Sequence, residues 1–289
     1  MENLPVRIYL MTDLEAPAGV LDFENWCTPK SRYNDLAKQL LTEEVNAAVD
    51  GFISEGATEI LVADGHGSGG INPALLDPRA EVQRGWGPGP YPLGLEEGFD
   101  ACAWVGQHAK SRTEYSHLTH TQSFSVLEMS VNGVAIGEFG QVVLCASQLG
   151  IPAIFAAGEK AFAREAEALV PGIETAWGKR GLTAGRGDEC SVEEYTSRNT
   201  SAIHKAPQLS RDLIRQGAAH ALRRVRDESF GLCDFNPPFE KTVIRRQTDS
   251  DPRTYSKVTH PTDVIELMNR SGELKPVEDD QQLAELLCD

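Results

Sequence analysis

The chain has 289 residues, 40% of them hydrophobic and 24% charged, with a formal net charge of −16. This is the composition of an ordinary globular protein with enough apolar material for one large core or two smaller ones. A field of that sign repels nucleic acid, and the short basic run RRVRDE (223–228) reads as a solvated helix face rather than a phosphate-binding patch. The N-terminus, MENLPVRIYLM, is too short and too acidic for a signal peptide, and no apolar run reaches the length of a membrane span. A cytoplasmic location without a membrane partner is therefore expected. The six cysteines are scattered with no CxxC pair, which predicts reduced thiols.

In chain order, VRIYLM (6–11) has the length and residue types of a buried strand. From Ser31 to Glu55 the apolar positions Leu36, Leu40, Val45, Ala48 and Phe52 recur at helical spacing. EILVA (59–63) is a second short apolar run that stops at DGHGSGG. Strand, long helix and strand with short connections form a βαβ unit, so the two strands should be parallel neighbours. GWGPGPYPLG (85–94) reads as a loop, and DACAWVG (100–106) as a third buried strand ending at QHAK. After a polar stretch, FSVLEMSV and VAIGEFG flank the dipeptide NG (132–133) and predict a hairpin. QVVLCASQLG has helical spacing, IPAIFAAG is a fourth strand, and EKAFAREAEAL is an amphipathic helix. Beyond about Gly181 the pattern loosens. Residues 208–227 predict a helix, FNPPFEKTVIRRQT a turn and strand, and TDVIELMNR and DQQLAELLCD closing helices. The whole predicts an α/β protein: a three-layer core with a mostly parallel sheet over residues 1–180, and a smaller α+β portion over 181–289 packed on it.

Several chemically capable residues share one address in that scheme. Asp13 and Glu15 follow the first strand, His66 the second and His108 the third, with His117 and His120 in the loop beyond. Open α/β sheets bind ligands outside the carboxyl ends of their strands, so residues remote in sequence can converge there. In extended chain, residues i and i+2 point to one side, so the D-x-E pair should face a single point and need a compensating cation. Carboxylates mixed with imidazoles suit zinc, manganese or iron, and the number of donors is enough for two ions sharing a carboxylate. That points to metal-assisted hydrolysis. DGHGSGG lacks the lysine and spacing of a phosphate-binding loop. His204, His220 and His260 read as structural or surface residues, and Asp188 as turn chemistry.

The order TDLE, DGH, GQHA, HT and GEFG resembles the zinc-dependent D-aminopeptidase (DppA-like) family, in register from about residue 6 to 170 and faintly beyond. The resemblance implies a two-zinc site in which Asp13 bridges the metals and Glu15, His66, His108 and Glu138 complete the shells. It also implies that His120 is the catalytic histidine, a nucleophile or general acid/base, with His117 its rival. The family's fold and assembly imply a homo-oligomer, a decamer of stacked rings, acting on small peptides whose N-terminal residues include D-amino acids. Four departures bear on the substrate: Ala16 stands where the family has glycine, Gln107 where an aromatic is common, SRTEYSHLTHT is a different loop, and the tail beyond Arg245 is distinctive. The alternative that keeps the same metals is a hydrolase of a non-peptide amide or lactam.

Overall fold

The computed structural model describes residues 6–288. Residues 1–5, part of the segment whose acidity argues against a signal peptide, and residue 289, the end of the expected closing helix, lie outside the described residues. The chain opens as the sequence predicts, with β1 (Arg7–Thr12), a short α1 (Phe23–Trp26), α2 (Asn34–Ser54) and β2 (Glu59–Asp64). β1 and β2 pair in parallel, Ile8 opposite Ile60 and Thr12 opposite Asp64. β1 is apolar throughout because both of its faces are covered: Ile8 and Leu10 join one core, and Tyr9 and Met11 the other.

Next come β3 (Glu81–Gln83), β4 (Ala101–Gln107), β5 (Val126–Val131), β6 (Val134–Ala135), α3 (Glu138–Gln148), β7 (Ala153–Glu159) and α4 (Lys160–Leu169). They are followed by β8 (Glu174–Gly181), α5 (Val192–Arg198), β9 (Ala202–His204) and α6 (Pro207–Arg224). The chain closes with β10 (Phe239–Arg245), β11 (Thr254–His260), α7 (Val264–Asn269), β12 (Lys275–Pro276) and α8 (Asp280–Leu286). Seven strands form a sheet in the order β3-β2-β1-β4-β7-β8-β9, parallel except for β9. α2 and α6 cover one face, where Phe52, Phe155, Ile214 and Leu222 interlock. α3 and α4 cover the other around Trp104, Phe139 and Phe162.

The predicted hairpin is only half correct. The NG turn forms, with Asn132 and Gly133 both at positive φ, but β6 is two residues long and GEFG winds into α3. β5 and β6 instead join β10, β11 and β12 in a second, antiparallel sheet ordered β12-β11-β10-β5-β6. α3 lies between the two sheets. Its Phe139 and Val143 enter the core of the large one, and its Leu144 and Cys145 pack with Val131, Phe239 and Leu267 against the small one. Each sheet thus draws strands from both sides of residue 180: β9 and α6 belong with the large sheet, β5 and β6 with the small. The result is a mixed α/β molecule whose large sheet ends its parallel strands at one rim, and that rim carries the site.

Candidate metal centre

Asp13 is the first residue past β1, its N–H donating to the Val105 carbonyl at 3.1 Å. The chain then bends instead of staying extended, so the alternation argument for D-x-E fails in detail. Both carboxylates nevertheless face His66 in the loop after β2: His66 Nδ1 lies 3.3 Å from Asp13 Oδ1 and 3.3 Å from Glu15 Oε2. His108 follows β4 directly. Gly106, at φ +82°, allows that approach: a Cβ there would overlap the Asp13 carbonyl, and one at Gly158 would overlap the Gln107 carbonyl. The pairing of β4 with β7 slips between Val105 and Gln107, and this bulge aims the next two side chains inward.

Those side chains reach the second oxygen of Asp13. Gln107 Nε2 donates to Asp13 Oδ2 at 2.8 Å, and His108 Nε2 sits 3.2 Å from the same atom. Glu138 arrives from elsewhere, as the first residue of α3, with Oε1 3.6 Å from His108 Nε2 and 3.9 Å from His120 Nε2. His120 stacks on His108 at a centroid distance of 4.0 Å. Two donor groups result, one of Asp13, Glu15 and His66, the other of His108, His120 and Glu138. Asp13 points one oxygen at each.

Each histidine uses one ring N–H on a backbone carbonyl. His66 Nε2 donates to Cys27 O at 2.8 Å, His108 Nδ1 to Ala109 O at 2.9 Å and His120 Nδ1 to Leu118 O at 2.8 Å. The other nitrogen of each ring is thereby turned to the carboxylates, where a proton or a metal ion can occupy its lone pair, the usual second-sphere arrangement of a metal-binding imidazole. Glu15 Oε2 and His108 Nε2 are buried and form no well-directed hydrogen bond in the protein. A buried polar atom left this way costs stability unless something else binds it, and the donor set of carboxylate and imidazole fits a divalent cation.

The electrostatics agree. Burial would raise the Asp13 carboxyl, but hydrogen bonds from His108 and His66 hold it well below the ordinary range. Burial would lower His66, yet Glu15 and Asp13 push it up to about 11. His108 is raised in the same way, against its burial, by Glu138 and Asp13. Burial pushes Glu138 up to about 7 against the pull of His108. His120 goes the other way: burial and the neighbouring His108 hold it down to about 3, so it is neutral. Three clustered carboxylates need positive charge, which imidazole protons or divalent cations can supply in competition.

Several supporting residues were not visible as functional in the sequence. Arg84 donates to the carbonyls of Asp64 and His66 at 2.7 and 2.6 Å and to Gly67 at 2.6 Å, fixing the His66 loop. Lys179, fully buried on β8, donates through Nζ to Glu15 O at 2.5 Å and Val20 O at 3.3 Å. Glu159 accepts from the backbone of Ala109 and His117 and from the Ser116 hydroxyl, tying down the loop that leads to His120. The Gln122 N–H donates to Glu138 Oε1 at 2.7 Å. Gln107, a departure from the aromatic common in the family, is a further support through its bond to Asp13. Nothing in local spacing distinguishes these residues from ordinary strand and loop residues.

His117, the rival to His120, is buried away from both donor groups. Its Nε2 donates to Leu21 O at 3.1 Å, and its ring meets His204 edge-on. His204 accepts from Gly19 N, His220 pairs with Glu174, and His260 accepts from the N–H groups that open α7, so all three are structural. Asp188 lies in a turn, as expected, closed by Cys190 N donating to Gly187 O at 3.3 Å, but its side chain does more. It grips Arg112 through both carboxylate oxygens at 2.7 and 2.9 Å, a bidentate pair that ties its loop to the one after β4. All six cysteines are free.

Two cavities meet at the Asp13–Glu138 line. One, of about 310 Å³, is lined by Phe23, Thr28, Ser68, His66 and His120; the other, of about 210 Å³, runs beneath the Gly/Pro-rich loop. A family model for D-aminopeptidase matches residues 6–253. The chain belongs to the D-aminopeptidase family. A D-aminopeptidase of Bacillus subtilis (strain 168) is 28% identical over 174 residues, which is 59% of this chain and 62% of that protein's length. The solved structure of the Zn-dependent D-aminopeptidase DppA from Bacillus subtilis, a self-compartmentalizing protease, is 20% identical. It superposes with a TM-score of 0.74 over 97% of this chain and 96% of that one, and so has the same fold. Among the described residues, no helix is long and apolar enough to cross a membrane.

Proposed function

We propose that this family member is a cytoplasmic, binuclear zinc aminopeptidase that releases N-terminal residues, D-amino acids among them, from small peptides. The observation that carries the proposal is Asp13, whose two oxygens face two separate groups of donors. Asp13, Glu15 and His66 would hold one ion, and Asp13, His108 and Glu138 the other. Zinc at such a pair supplies Lewis acidity for a carbonyl and lowers the pKa of water. The protein's own part is to orient. Gln107 holds one face of the Asp13 carboxylate, and the backbone of Gln122 holds Glu138, so neither is free to swing away.

His120 presents an unprotonated Nε2 toward Glu138, because its Nδ1 proton is committed to Leu118 O and its surroundings disfavour a second proton. As a general base it would take a proton from the attacking group and return that proton to the departing amine; as a nucleophile it would attack the acyl carbon through Nε2, and the amine would then take its proton from water. The net charge of −16 disfavours anionic substrates and tolerates the ammonium group of a peptide N-terminus. The self-compartmentalizing relative supports a homo-oligomer of stacked rings for this chain as well.

The test is to offer the zinc-loaded protein D- and L-aminoacyl amides, short peptides and lactams in parallel. The proposal expects release of free N-terminal amino acids. Full zinc occupancy with no amide cleaved would overturn it, and opening of lactams in preference to peptides would replace it with the non-peptide alternative.

A further inference from the structure

The 210 Å³ cavity beside the Asp13–Glu138 line is walled by Met11, Trp86, Pro90, Tyr91, Leu93 and Val142. Its remaining lining groups are uncharged apart from Asp13 and Glu138 themselves. We infer that this cavity receives the side chain of the substrate's N-terminal residue and selects neutral, apolar side chains of leucine to phenylalanine size. The inference rests on the hydrolase proposed above and goes further by naming which substrates it accepts.

Size comes first. An apolar cavity of about 150 Å³ holds a benzene ring, so 210 Å³ takes an isobutyl or benzyl group and leaves a methyl group largely unpacked. Chemistry comes second. No Lys or Arg lines the cavity to meet an acidic side chain. The two carboxylates that could meet a basic one are committed to the histidine clusters. A charged side chain would be desolvated without a partner.

Rigidity is third. The loop carrying Trp86 to Leu93 is anchored at several points: Tyr91 N donates to Asn269 Oδ1 at 3.0 Å, and Asn269 Nδ2 returns a bond to Tyr91 O at 3.0 Å. The Tyr91 hydroxyl donates to Gln141 Oε1 at 2.7 Å, and the Tyr9 hydroxyl to Leu93 O at 2.6 Å. The Tyr91 and Leu93 side of the wall is thus formed before the ligand arrives, which keeps down the ordering cost of binding. The partner cavity, with Thr28, Ser68 and His66 along it, is left to the departing part of the peptide. The smaller cavity beside the Asp13–Glu138 line takes the residue that is cut off, and the larger one takes the rest.

The experiment has two readouts on the zinc-loaded full-length protein. The first is kcat/KM for glycine, alanine, leucine, phenylalanine, lysine and glutamate amides in both configurations. Leucine and phenylalanine amides are expected to exceed alanine, lysine and glutamate amides by about tenfold or more. In Trp86→Ala that ratio is expected to shrink, mainly through KM. The second is calorimetric binding of leucinamide and glycinamide, which needs no turnover and still reads the cavity if Trp86→Ala folds poorly. Leucinamide is expected to bind about tenfold tighter or more. Amides cleaved at equal rates whatever their side chain would overturn the cavity's role and leave the hydrolase standing. Selective leucinamide binding without cleavage would support the cavity and sink the hydrolase. Equal or absent binding of both amides would overturn the cavity's role.

Discussion

At the residue scale, the chemistry turns on which groups hold ions and which move protons. Asp13 faces both donor groups, so Asp13→Ala is expected to lose metal from both positions, with activity falling at least 100-fold as a consequence. His120 is stacked on His108 but is kept neutral by its surroundings, and its Nδ1 is already bonded to Leu118 O. His120→Ala should therefore keep its metal and lose roughly 10²–10⁴-fold in kcat, the usual size of a lost general acid–base group. Elemental analysis beside steady-state rates separates the two variants. If His120→Ala loses metal along with activity, that histidine belongs to the ligand set that its distance of 3.9 Å from Glu138 also permits.

At the scale of elements, the site depends on a strand end and on a helix beneath the rim. Gly106 supplies the positive φ and the close approach to Asp13 that let β4 turn Gln107 and His108 inward. Gly106→Ala should lower both the melting temperature and metal content, since the side chain has no space that the strand does not already occupy. α2 supports the loop beyond Asp13 through Glu44, whose Oε1 accepts from Ala18 N at 3.0 Å. Burial pushes the Glu44 carboxyl up to about 7, from 4.5. The folded chain thus keeps that proton up to about pH 7, while the unfolded chain releases it near 4.5. The stabilisation it brings is complete below 4.5 and is lost as pH rises through 7, on the order of 3 kcal/mol in all. Glu44→Gln keeps the acceptor and removes the titration. Urea unfolding should find the variant gaining on the wild type between pH 5 and 8, and parallel curves would refute the assignment.

The elements also explain what could be seen in advance. β1, α2, β2 and β4 were legible because strands buried on both faces read as continuous apolar runs and α2 keeps one apolar stripe. β8 was not, because ETAWGKRG contains a lysine; Lys179 is buried only because distant carbonyls of Glu15 and Val20 receive its ammonium group. β11, TYSKVTH, is polar for the different reason that one side of it faces water. Asp13, Glu15, His66 and His108 were legible from the strand-end rule, whereas Glu138 was not. Its place depends on where α3 starts, and the hairpin expected there hid that start.

At the scale of the whole molecule, the two sheets sandwich α3, so the wall that presents Glu138 is braced from both sides. The apolar cavity draws its anchors from α3 and α7 together, so the smaller sheet's helix helps to shape the pocket inferred above to take the substrate's side chain. The relative is a self-compartmentalizing protease; if this chain assembles as the decamer of stacked rings proposed for it, light scattering should give the mass of a decamer, and a monomer at assay concentration would contradict it. The account as a whole rests on paired ions sharing Asp13. Metal atoms counted per chain by elemental analysis, after zinc loading and removal of excess, test that most directly. Two in the wild type and none in Asp13→Ala is the expected result; a wild type that retains one or none, or an Asp13→Ala variant that still holds two, would contradict it.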